Sequence, residues 1–505
     1  MASFIIRRLI ASIFVLFAAT FLMYILTSFA GDPLDELRQS NAPNKAELIE
    51  SRTRLLNLDV PPPLRYFLWL GGIFRGDFGV SVQGQPVNAL LGNAITATLT
   101  LVTTATIVAI VLGISVGIVS ALRQYSGFDY FVTFLSFLFF SLPIFWVAVL
   151  LKQYGAIEIN NWLADPTFAI PVIIVVSLLA GLLWMSVIGG TWKRRLIIFG
   201  ISALATAAVM TYLSLTRWFS DPSIGIVVYS ALAIGIAFGV TAVSTGLQNR
   251  RALYVALGIA GAGIALYYPM MTSLLNGMTL GLFVVYAVAT VLVCGAVGWF
   301  LGGADRGPVV RTAALTGVLV AAFIALEKYM QYWEAYSNSS RIRGRPIATV
   351  GASTPGLGGN FWVQGIDLFT HLLLPTIAII LVSFASYTRY SRASLLEVMN
   401  QDYIRTAKAK GLTQRTVVVR HAFRNALIPI TTIIAFDVGA IVGGAVITET
   451  VFGWTGMGRL FVDGLNAVDP NPVMAFFVVT GALAVLFNLV ADLVYAALDP
   501  RIKVG

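Results

Sequence analysis

Residues 402–411 carry the most informative spacing of polar and apolar side chains in the sequence, Asp-Tyr-Ile-Arg-Thr-Ala-Lys-Ala-Lys-Gly. On a helix, Ile404, Ala407 and, one turn further on, Gly411 share one face, and basic residues occupy the others. Gly411 suits the left-handed position that ends a helix, and Thr413 can cap a second helix. The pattern predicts a rigid projection into the cytoplasm that can push on, or be pushed by, a soluble protein. The alternative is a solvated loop of positive charge.

Other residue types that could do chemistry are isolated from one another. The sequence contains no G-x-x-x-x-G-K-[ST], so the chain cannot cradle ATP phosphates in that way. His371 and His421 lack metal-ligand spacing, and Cys294 is the single cysteine, which excludes a disulfide within the chain. No Ser/His/Asp or paired-carboxylate arrangement can be assigned from spacing. A membrane enzyme therefore has little support.

One ionisable residue lies in the middle of a long apolar run. Asp437 falls within residues 426–448, beside Gly439, Gly443 and Gly444. A charged group at this depth in a membrane suggests a translocation path, whereas small residues allow helices to approach closely. The sequence leaves both interpretations open, a role in the path or in core pairing, and helix packing through the glycines alone.

The elements that must position these residues are membrane helices. The chain has 505 residues, of which 58% are hydrophobic and 11% charged, and its mean hydropathy is +0.85, whereas soluble domains carry about 25% charged residues. Apolar runs long enough to span a bilayer lie near 9–29, 95–122, 128–151, 168–190, 196–215, 224–246, 252–273, 279–301, 309–330, 368–388, 426–448 and 473–497. Their apolarity is continuous rather than alternating, which excludes a transmembrane barrel. The net charge of +10 comes from basic residues between the runs, so the predicted environment is a lipid bilayer and no nucleic acid is expected.

Loop charge predicts the orientation of these spans. Most Lys and Arg residues fall on one side when both termini are cytoplasmic. Residues 30–94 and 331–367 are then long extracytoplasmic segments, and 389–424 is a cytoplasmic one, because placing its charges in the membrane would cost about 3 kcal/mol each. Glu327 and Lys328 lie at the outer end of a span, where they can reach the membrane interface.

A block of six spans separates the two ends of the chain. Its inner turns at 190–195, 246–251 and 303–307 recur about every 56 residues, which indicates three duplicated hairpins. We predict three domains: 1–165 as the first part of a core with three spans and the extracytoplasmic segment 30–94, 166–335 as the inserted block, and 336–505 as the second part of the core with segments 336–367 and 389–424. The block is interpreted as a peripheral bundle.

Several segments closely resemble the permeases of ATP-binding-cassette (ABC) importers, specifically the B-type subunit of the dipeptide/oligopeptide/nickel importers. The resemblance covers about two thirds of the chain and is carried by residues 4–8, 31–33, 58–66, 76–81, 86–87, 402–412, 421–429 and 443–458. Two positions depart from the pattern. The general motif begins Glu-Ala-Ala where this chain has Arg405, Thr406 and Ala407, and Thr455 stands where the family usually has proline.

The resemblance implies an all-α integral membrane protein, with a type I ABC importer permease core of six helices plus about six inserted helices and with cytoplasmic termini, in a bacterial or archaeal cell membrane. It implies a second homologous permease, two ATPase subunits that bind the ATP and Mg²⁺, an extracytoplasmic solute-binding protein that lands on 30–94, and no cofactor on this chain. Di- or oligopeptides or similar small solutes are the implied substrates, and the chain is not itself an enzyme. The ATPase-coupling residues would be Asp402, Tyr403, Arg405, Thr406, Ala407, Lys408, Lys410, Gly411 and Leu412. The family's outer turn would include Glu449, Gly456 and Gly458.

Two other functions remain as alternatives. A stand-alone secondary transporter with twelve helices should show two similar halves of six, whereas this chain shows a core that is split by a repeat block. A membrane enzyme or a scaffold would use the block 166–335 as its working part, yet the spans of that block are almost free of polar side chains.

Overall fold

The computed structural model describes residues 2–303, 306–427, 429–431, 433–434 and 445–498. The described residues form helices and connecting turns, with one isolated bridge between Val80 and Pro86, so the predicted all-α class is confirmed. In chain order the helices are α1 (Ala2–Phe29), α2 (Asp35–Gln39), α3 (Lys45–Leu56), α4 (Pro62–Ile73), α5 (Val87–Leu122), α6 (Gly127–Ser141), α7 (Ile144–Leu150), α8 (Ile159–Leu163), α9 (Ile170–Ile188), α10 (Trp192–Leu215), α11 (Gly225–Ser244), α12 (Arg250–Pro269), α13 (Leu280–Leu301), α14 (Arg306–Gln331), α15 (Trp333–Ser337), α16 (Phe361–Met399), α17 (Asp402–Ala409), α18 (Gln414–Thr416), α19 (Val446–Phe452), α20 (Met457–Asn466) and α21 (Pro470–Leu498). Turns of π-helix join α7 to α8 (Leu151–Glu158) and extend α12 (Met270–Leu274) and α18 (Val417–Ala422).

Within the described part of the chain, ten helices are long and apolar enough to cross a membrane, or eleven when a bent pair counts as one span. These correspond to eleven of the twelve predicted runs. The twelfth, 426–448, lies largely outside the described residues. The predicted run 128–151 is broken at Leu142–Pro143, where two helices meet at 102°. Leu142 is extended (φ −81°, ψ 128°) because the proline ring disfavours a helical residue before it.

Two spans are longer than predicted. Helix α5 begins at Val87 rather than near residue 95, directly after Pro86, which leaves its first two turns in the predicted extracytoplasmic segment. Helix α16 runs over 39 residues, from Phe361 to Met399, about 58 Å at 1.5 Å per residue. Since the hydrocarbon core of a bilayer is about 30 Å thick, this helix extends well beyond the membrane.

The chain divides into two compact units. The first comprises residues 1–156, 349–352 and 372–505. In it α5 and α16 approach closely at Gly113 and Gly117, where an added Cβ would overlap Tyr387 and Ser391. Small residues are what allow such close helix contacts in membranes. The predicted boundaries 1–165, 166–335 and 336–505 stay predictions.

The second unit comprises residues 157–348 and 353–371. Its six long helices pack as the pairs α9–α10, α11–α12 and α13–α14, as the predicted hairpins require. Glycines again mark close contacts, as at Gly317, where a Cβ would overlap Cys294. A cluster around Tyr229, Tyr267 and Trp362 forms the core.

Glu327 and Lys328, which were expected to reach the membrane interface, are both buried among neighbouring helices. Glu327 accepts hydrogen bonds from the Ile224 backbone N–H at 2.6 Å and the Tyr267 hydroxyl at 2.9 Å, at the start of α11. Lys328 donates to the Met271 carbonyl at 2.7 Å. Each charged group therefore lies at a helix end whose partial charge has the opposite sign. This interaction offsets the cost of burying the charge.

Candidate functional site

Residues 402–412, called the projection below, form a short helix with well-defined ends. Helix α17 begins after Gln401, which is extended (φ −70°, ψ 150°), and ends at Ala409, before Lys410. Gly411 has φ +75°, and nothing lies within 4 Å of the position that a Cβ would take. Backbone conformation rather than space therefore favours glycine here. The predicted helix and its glycine end are confirmed.

One face of the projection is buried. Ile404 is 0% exposed and Ala407 is 6% exposed, and both belong to a cluster with Leu395, Val417 and Ala422. Leu395 lies on α16, so this face rests directly on the last turns of a long helix. The predicted shared face is confirmed for Ile404 and Ala407, whereas Gly411, which was predicted to lie on the same face, is exposed. A shift of the projection must move α16 or open the contact of Ile404 and Ala407 with Leu395.

Polar contacts hold the projection to the chain that follows it. The Asn425 side-chain amide donates to the Tyr403 hydroxyl at 2.8 Å and to the His421 carbonyl at 3.2 Å. The Thr413 hydroxyl accepts from the Thr416 backbone N–H at 3.3 Å, which is the predicted helix cap. The projection is thus fixed on two sides rather than free as a loop.

The opposite face of the projection is exposed and charged. Asp402 and Arg405 side chains are 97% and 73% exposed, and the closest approach of their charged atoms is 3.7 Å. A pair this exposed adds little stability. The remaining predicted coupling residues that are exposed are Tyr403, Thr406, Lys408, Lys410, Gly411 and Leu412. Such a surface can recognise another protein, and its described residues bring together no nucleophile and base.

A partly buried ion pair lies beneath the projection, one turn before Leu395. The Asp129 carboxylate accepts two bonds from Arg392, at 2.7 and 2.9 Å, and one from the Ser120 hydroxyl at 2.5 Å. It ties the start of α6 and the end of α5 to α16. Sequence reasoning missed this pair. The spacing Ser126-x-x-Asp129 could have indicated the start of a helix. In the structure the Asp129 backbone N–H donates a hydrogen bond to the Ser126 hydroxyl there.

Residues 446–459, called the Glu449 turn, are organised by one buried carboxylate. Glu449 is 0% exposed, and its Oε1 accepts from the Thr98 hydroxyl at 2.6 Å. Its Oε2 accepts from the backbone N–H groups of Gly458 at 2.6 Å and Arg459 at 3.2 Å. The Thr98 oxygen in turn accepts from the Met457 N–H at 2.7 Å. One side chain thereby fixes the loop between α19 and α20 against α5.

The glycines of this turn are required by space. At Gly456 a Cβ would overlap the Glu449 carboxyl group and the Thr98 hydroxyl, and at Gly458 it would overlap the Val446 backbone. The structure therefore brings the three predicted outer-turn residues together. Burial raises the pKa of Glu449 above its ordinary value, while its hydrogen bonds oppose that shift. The group has the environment of a structural acceptor.

A second buried acid holds the segment before α5. Asp469 is 2% exposed, and its carboxylate accepts from the Val82 N–H at 2.7 Å and the Asn471 N–H at 3.4 Å. Asn471 donates to the Val80 carbonyl at 2.7 Å. Burial raises the pKa of Asp469 to about 6. Sequence reasoning missed this contact, although Asp469-Pro470 is a helix-start signal.

The predicted pathway residues Asp437, Gly439, Gly443 and Gly444 lie outside the described residues.

Comparisons with known proteins agree with the resemblance of the sequence segments to importer permeases. The family model of the binding-protein-dependent transport system inner membrane component matches residues 312–504, which include the projection and the Glu449 turn. Over the full length of both chains, this protein is 27% identical to the oligopeptide transport system permease protein OppB of Mycobacterium tuberculosis. It is 24% identical to the oligopeptide transport system permease protein AppB of Bacillus subtilis, over 508 aligned positions that cover both chains. The chain is thus similar to permeases of binding-protein-dependent transport systems.

A shorter match has a higher identity. Over 148 residues the chain is 42% identical to the dipeptide transport system permease protein DppB of Escherichia coli, which is 29% of this chain and 42% of that relative. Its many helices that are long and apolar enough to cross a membrane make the chain a multi-pass membrane protein. The family match begins at residue 312, within α14.

Proposed function

We propose that this permease forms half of a translocation pathway for di- or oligopeptides or similar small solutes. A second homologous permease supplies the other half, and an extracytoplasmic solute-binding protein delivers the solute to the segment 30–94. Two ATPase subunits bind ATP and Mg²⁺, and this chain binds no cofactor. The peptide substrate is supported by the relatives, which are named for oligopeptide and dipeptide transport. The distribution of basic residues supports cytoplasmic termini in a bacterial or archaeal membrane.

The single observation that carries the proposal is the construction of the projection. Its exposed face is charged, and its buried face, Ile404 and Ala407, is locked to α16. Conversion of a two-state equilibrium from 1:99 to 99:1 requires about 5.5 kcal/mol of differential binding. A loop would lose that energy in its own motions, whereas a helix fixed by packing and by Asn425 transmits it.

The contacts beneath the projection define a route for that motion. Closure of the ATPase subunits displaces α17, and Ile404 and Ala407 move Leu395 on α16. One turn away, the Arg392–Asp129 ion pair connects α16 to α6. The displacement thereby reaches three core helices, because Ala121 at the end of α5 belongs to the same cluster as Leu395. The core then alternates between inward- and outward-facing states.

Charge reversal on the exposed face tests this function. Lys408→Glu and Arg405→Glu leave the buried face intact, so the fold should persist while the ATPase subunits lose their contact. The expected result is a loss of at least about tenfold in ATPase subunits co-purified with the chain, because like-charge contacts at an interface cost several kcal/mol. Lys193→Glu, at an exposed basic residue near the start of α10, is the matched control and should retain them.

Two results would contradict the proposal. In the first, the charge-reversal variants and the Lys193 control retain the ATPase subunits equally. In the second, the purified chain alone accumulates solute in vesicles when only an ion gradient is applied, which is the behaviour of a secondary transporter.

A further inference from the structure

A groove between α12 and α13 in the second unit has an apolar body and a basic end. It encloses about 380 Å³. Its lining at the two helices includes Arg251, Tyr254, Gly258, Ala262, Val297 and Leu301. Residues 251, 254, 258 and 262 recur at helical spacing on one face of α12, so the groove follows that helix for about 16 Å. Both walls belong to membrane-spanning helices.

The polar end of the groove is formed by Arg251 and Tyr254, both of which are exposed. The Arg251 guanidinium lies against the backbone of Gly303, where a Cβ would overlap its Nη1 atom. Gly303 has φ +60°, a backbone conformation that favours glycine. Because glycine has no side chain, it also leaves room for the Arg251 guanidinium. Among the described residues, no hydrogen bond or ion pair involves this guanidinium, whose donors are therefore available to a ligand.

Charge at this end of the second unit is strongly positive. The three turns that connect the paired helices, together with the first residues of the helices that follow them, contain Lys193, Arg194, Arg195, Arg250, Arg251 and Arg306, with Asp305 as their one acidic residue. The Arg306 guanidinium lies 5.2 Å from the centre of the Trp299 ring. Tryptophan and basic side chains together are typical of the headgroup level of a membrane. A ligand at the Arg251 end therefore meets a positive field.

We propose that this groove binds an anionic phospholipid. The headgroup phosphate accepts hydrogen bonds from the Arg251 guanidinium and the Tyr254 hydroxyl, and one acyl chain lies along Gly258 and Ala262. A free phosphate would leave these apolar walls unoccupied, whereas a phospholipid matches both the charged end and the apolar body. Basic pockets between membrane helices are suited to such headgroups. This inference does not depend on the proposed transport function.

A second groove provides an internal comparison. It encloses about 500 Å³ between the end of α12, α13 and α14, and its lining includes Phe283, Ala287, Val291 and Ala322. None of the described residues that line it carries a charge. It can accept acyl chains but has no group that distinguishes one headgroup from another, so it should show no preference for anionic lipid.

The test measures lipids retained by the full chain. The chain is delipidated in mild detergent, incorporated into nanodiscs of equimolar phosphatidylglycerol and phosphatidylcholine with identical acyl chains, and re-extracted. Mass spectrometry then quantifies the bound lipid. The wild-type chain should retain phosphatidylglycerol in preference. Arg251→Gln should lower that preference about fivefold, the factor that one basic side chain at a membrane surface provides, whereas Arg311→Gln, outside the groove, should not.

A second pair of variants tests the apolar body. Gly258 has no atom within 4 Å of a Cβ position, so Gly258→Leu fits the fold and fills the groove. Gly258→Leu should abolish the preferential retention of phosphatidylglycerol, whereas Ala322→Leu in the comparison groove should leave that preference unchanged. Equal retention of both lipids by the wild-type chain would overturn the proposal. So would equal losses in the Arg251 and Arg311 variants, or displacement of the retained lipid by millimolar inorganic phosphate.

Discussion

Glu449→Ala removes the acceptor of the hydrogen bonds that hold the Glu449 turn. The Gly458 N–H and the Thr98 hydroxyl, at 2.6 Å each from the carboxylate, would be left buried without their partner. Each such group costs about 1–3 kcal/mol. The substitution also removes the cost of burying the carboxylate, so we expect the closed turn to lose about 2–4 kcal/mol in total.

Hydrogen exchange at the Gly458 amide measures this loss directly in the full chain. A change of 2–4 kcal/mol corresponds to exchange that is faster by about 30- to 900-fold. Glu449→Gln is the matched variant. Its carbonyl oxygen can still accept from Gly458 and Arg459, and its amide can donate to the Thr98 oxygen, so it should lose only about 1 kcal/mol.

Two outcomes would refute this reasoning. If Glu449→Ala leaves Gly458 exchange within about threefold of the wild-type rate, the carboxylate does not hold the turn. If the Gly458 amide exchanges equally fast in the Glu449→Gln and Glu449→Ala variants, the hydrogen bonds to the backbone are not the source of the stability.

Three further predictions concern other buried acids. Because the folded state holds the Asp469 proton with a pKa of about 6, against 3.8 ordinarily, the free energy of closing residues 79–82 should weaken by about 2.4 kcal/mol as pH rises from 4 to 7. Protection factors of the Val82 amide should show this fall. Glu327→Ala should destabilise the start of α11 by about 2–4 kcal/mol, measured by exchange at the Gly225 amide. Asp129→Ala leaves the Arg392 guanidinium without its carboxylate and should cost about 3 kcal/mol, with ATP hydrolysis retained and solute uptake reduced in the assembled importer.

Each of these predictions has a control. Asp469→Asn should abolish the pH dependence at Val82, and its persistence would assign the effect to another group. Glu327→Gln keeps an acceptor for Ile224 and should be milder than Glu327→Ala. Asp402→Ala breaks the exposed contact with Arg405 and should cost less than about 0.5 kcal/mol. Equal effects of the Asp129 and Asp402 variants would contradict the role of the partly buried pair.

The sequence predicted the membrane helices and the projection because both depend on local patterns. Continuous apolar runs specify spans, and the spacing of Ile404, Ala407 and Gly411 specifies a short helix with one buried face. The break before Pro143 was missed, although the proline itself signalled it, because hydropathy alone runs on without interruption through that position.

The buried polar contacts could not be predicted in the same way. Glu449 is hydrogen-bonded to Thr98, and Asp129 to Arg392, across long separations in sequence. Only the packing of the helices brings these partners together. Glu327 illustrates the limit most clearly. Its position at the end of a span indicates the membrane interface, yet the free N–H groups of a neighbouring helix end bring it into the core.

A cross-linking measurement tests the coupling role of the projection most directly. Cys294 is the single cysteine, so Cys294→Ala gives a background in which one new thiol can be labelled. Lys408→Cys, carrying a short photoreactive label in the co-expressed complex, should cross-link to an ATPase subunit, and Lys193→Cys should not. Labelling of both positions without any cross-link, in a preparation that still transports, would contradict the account.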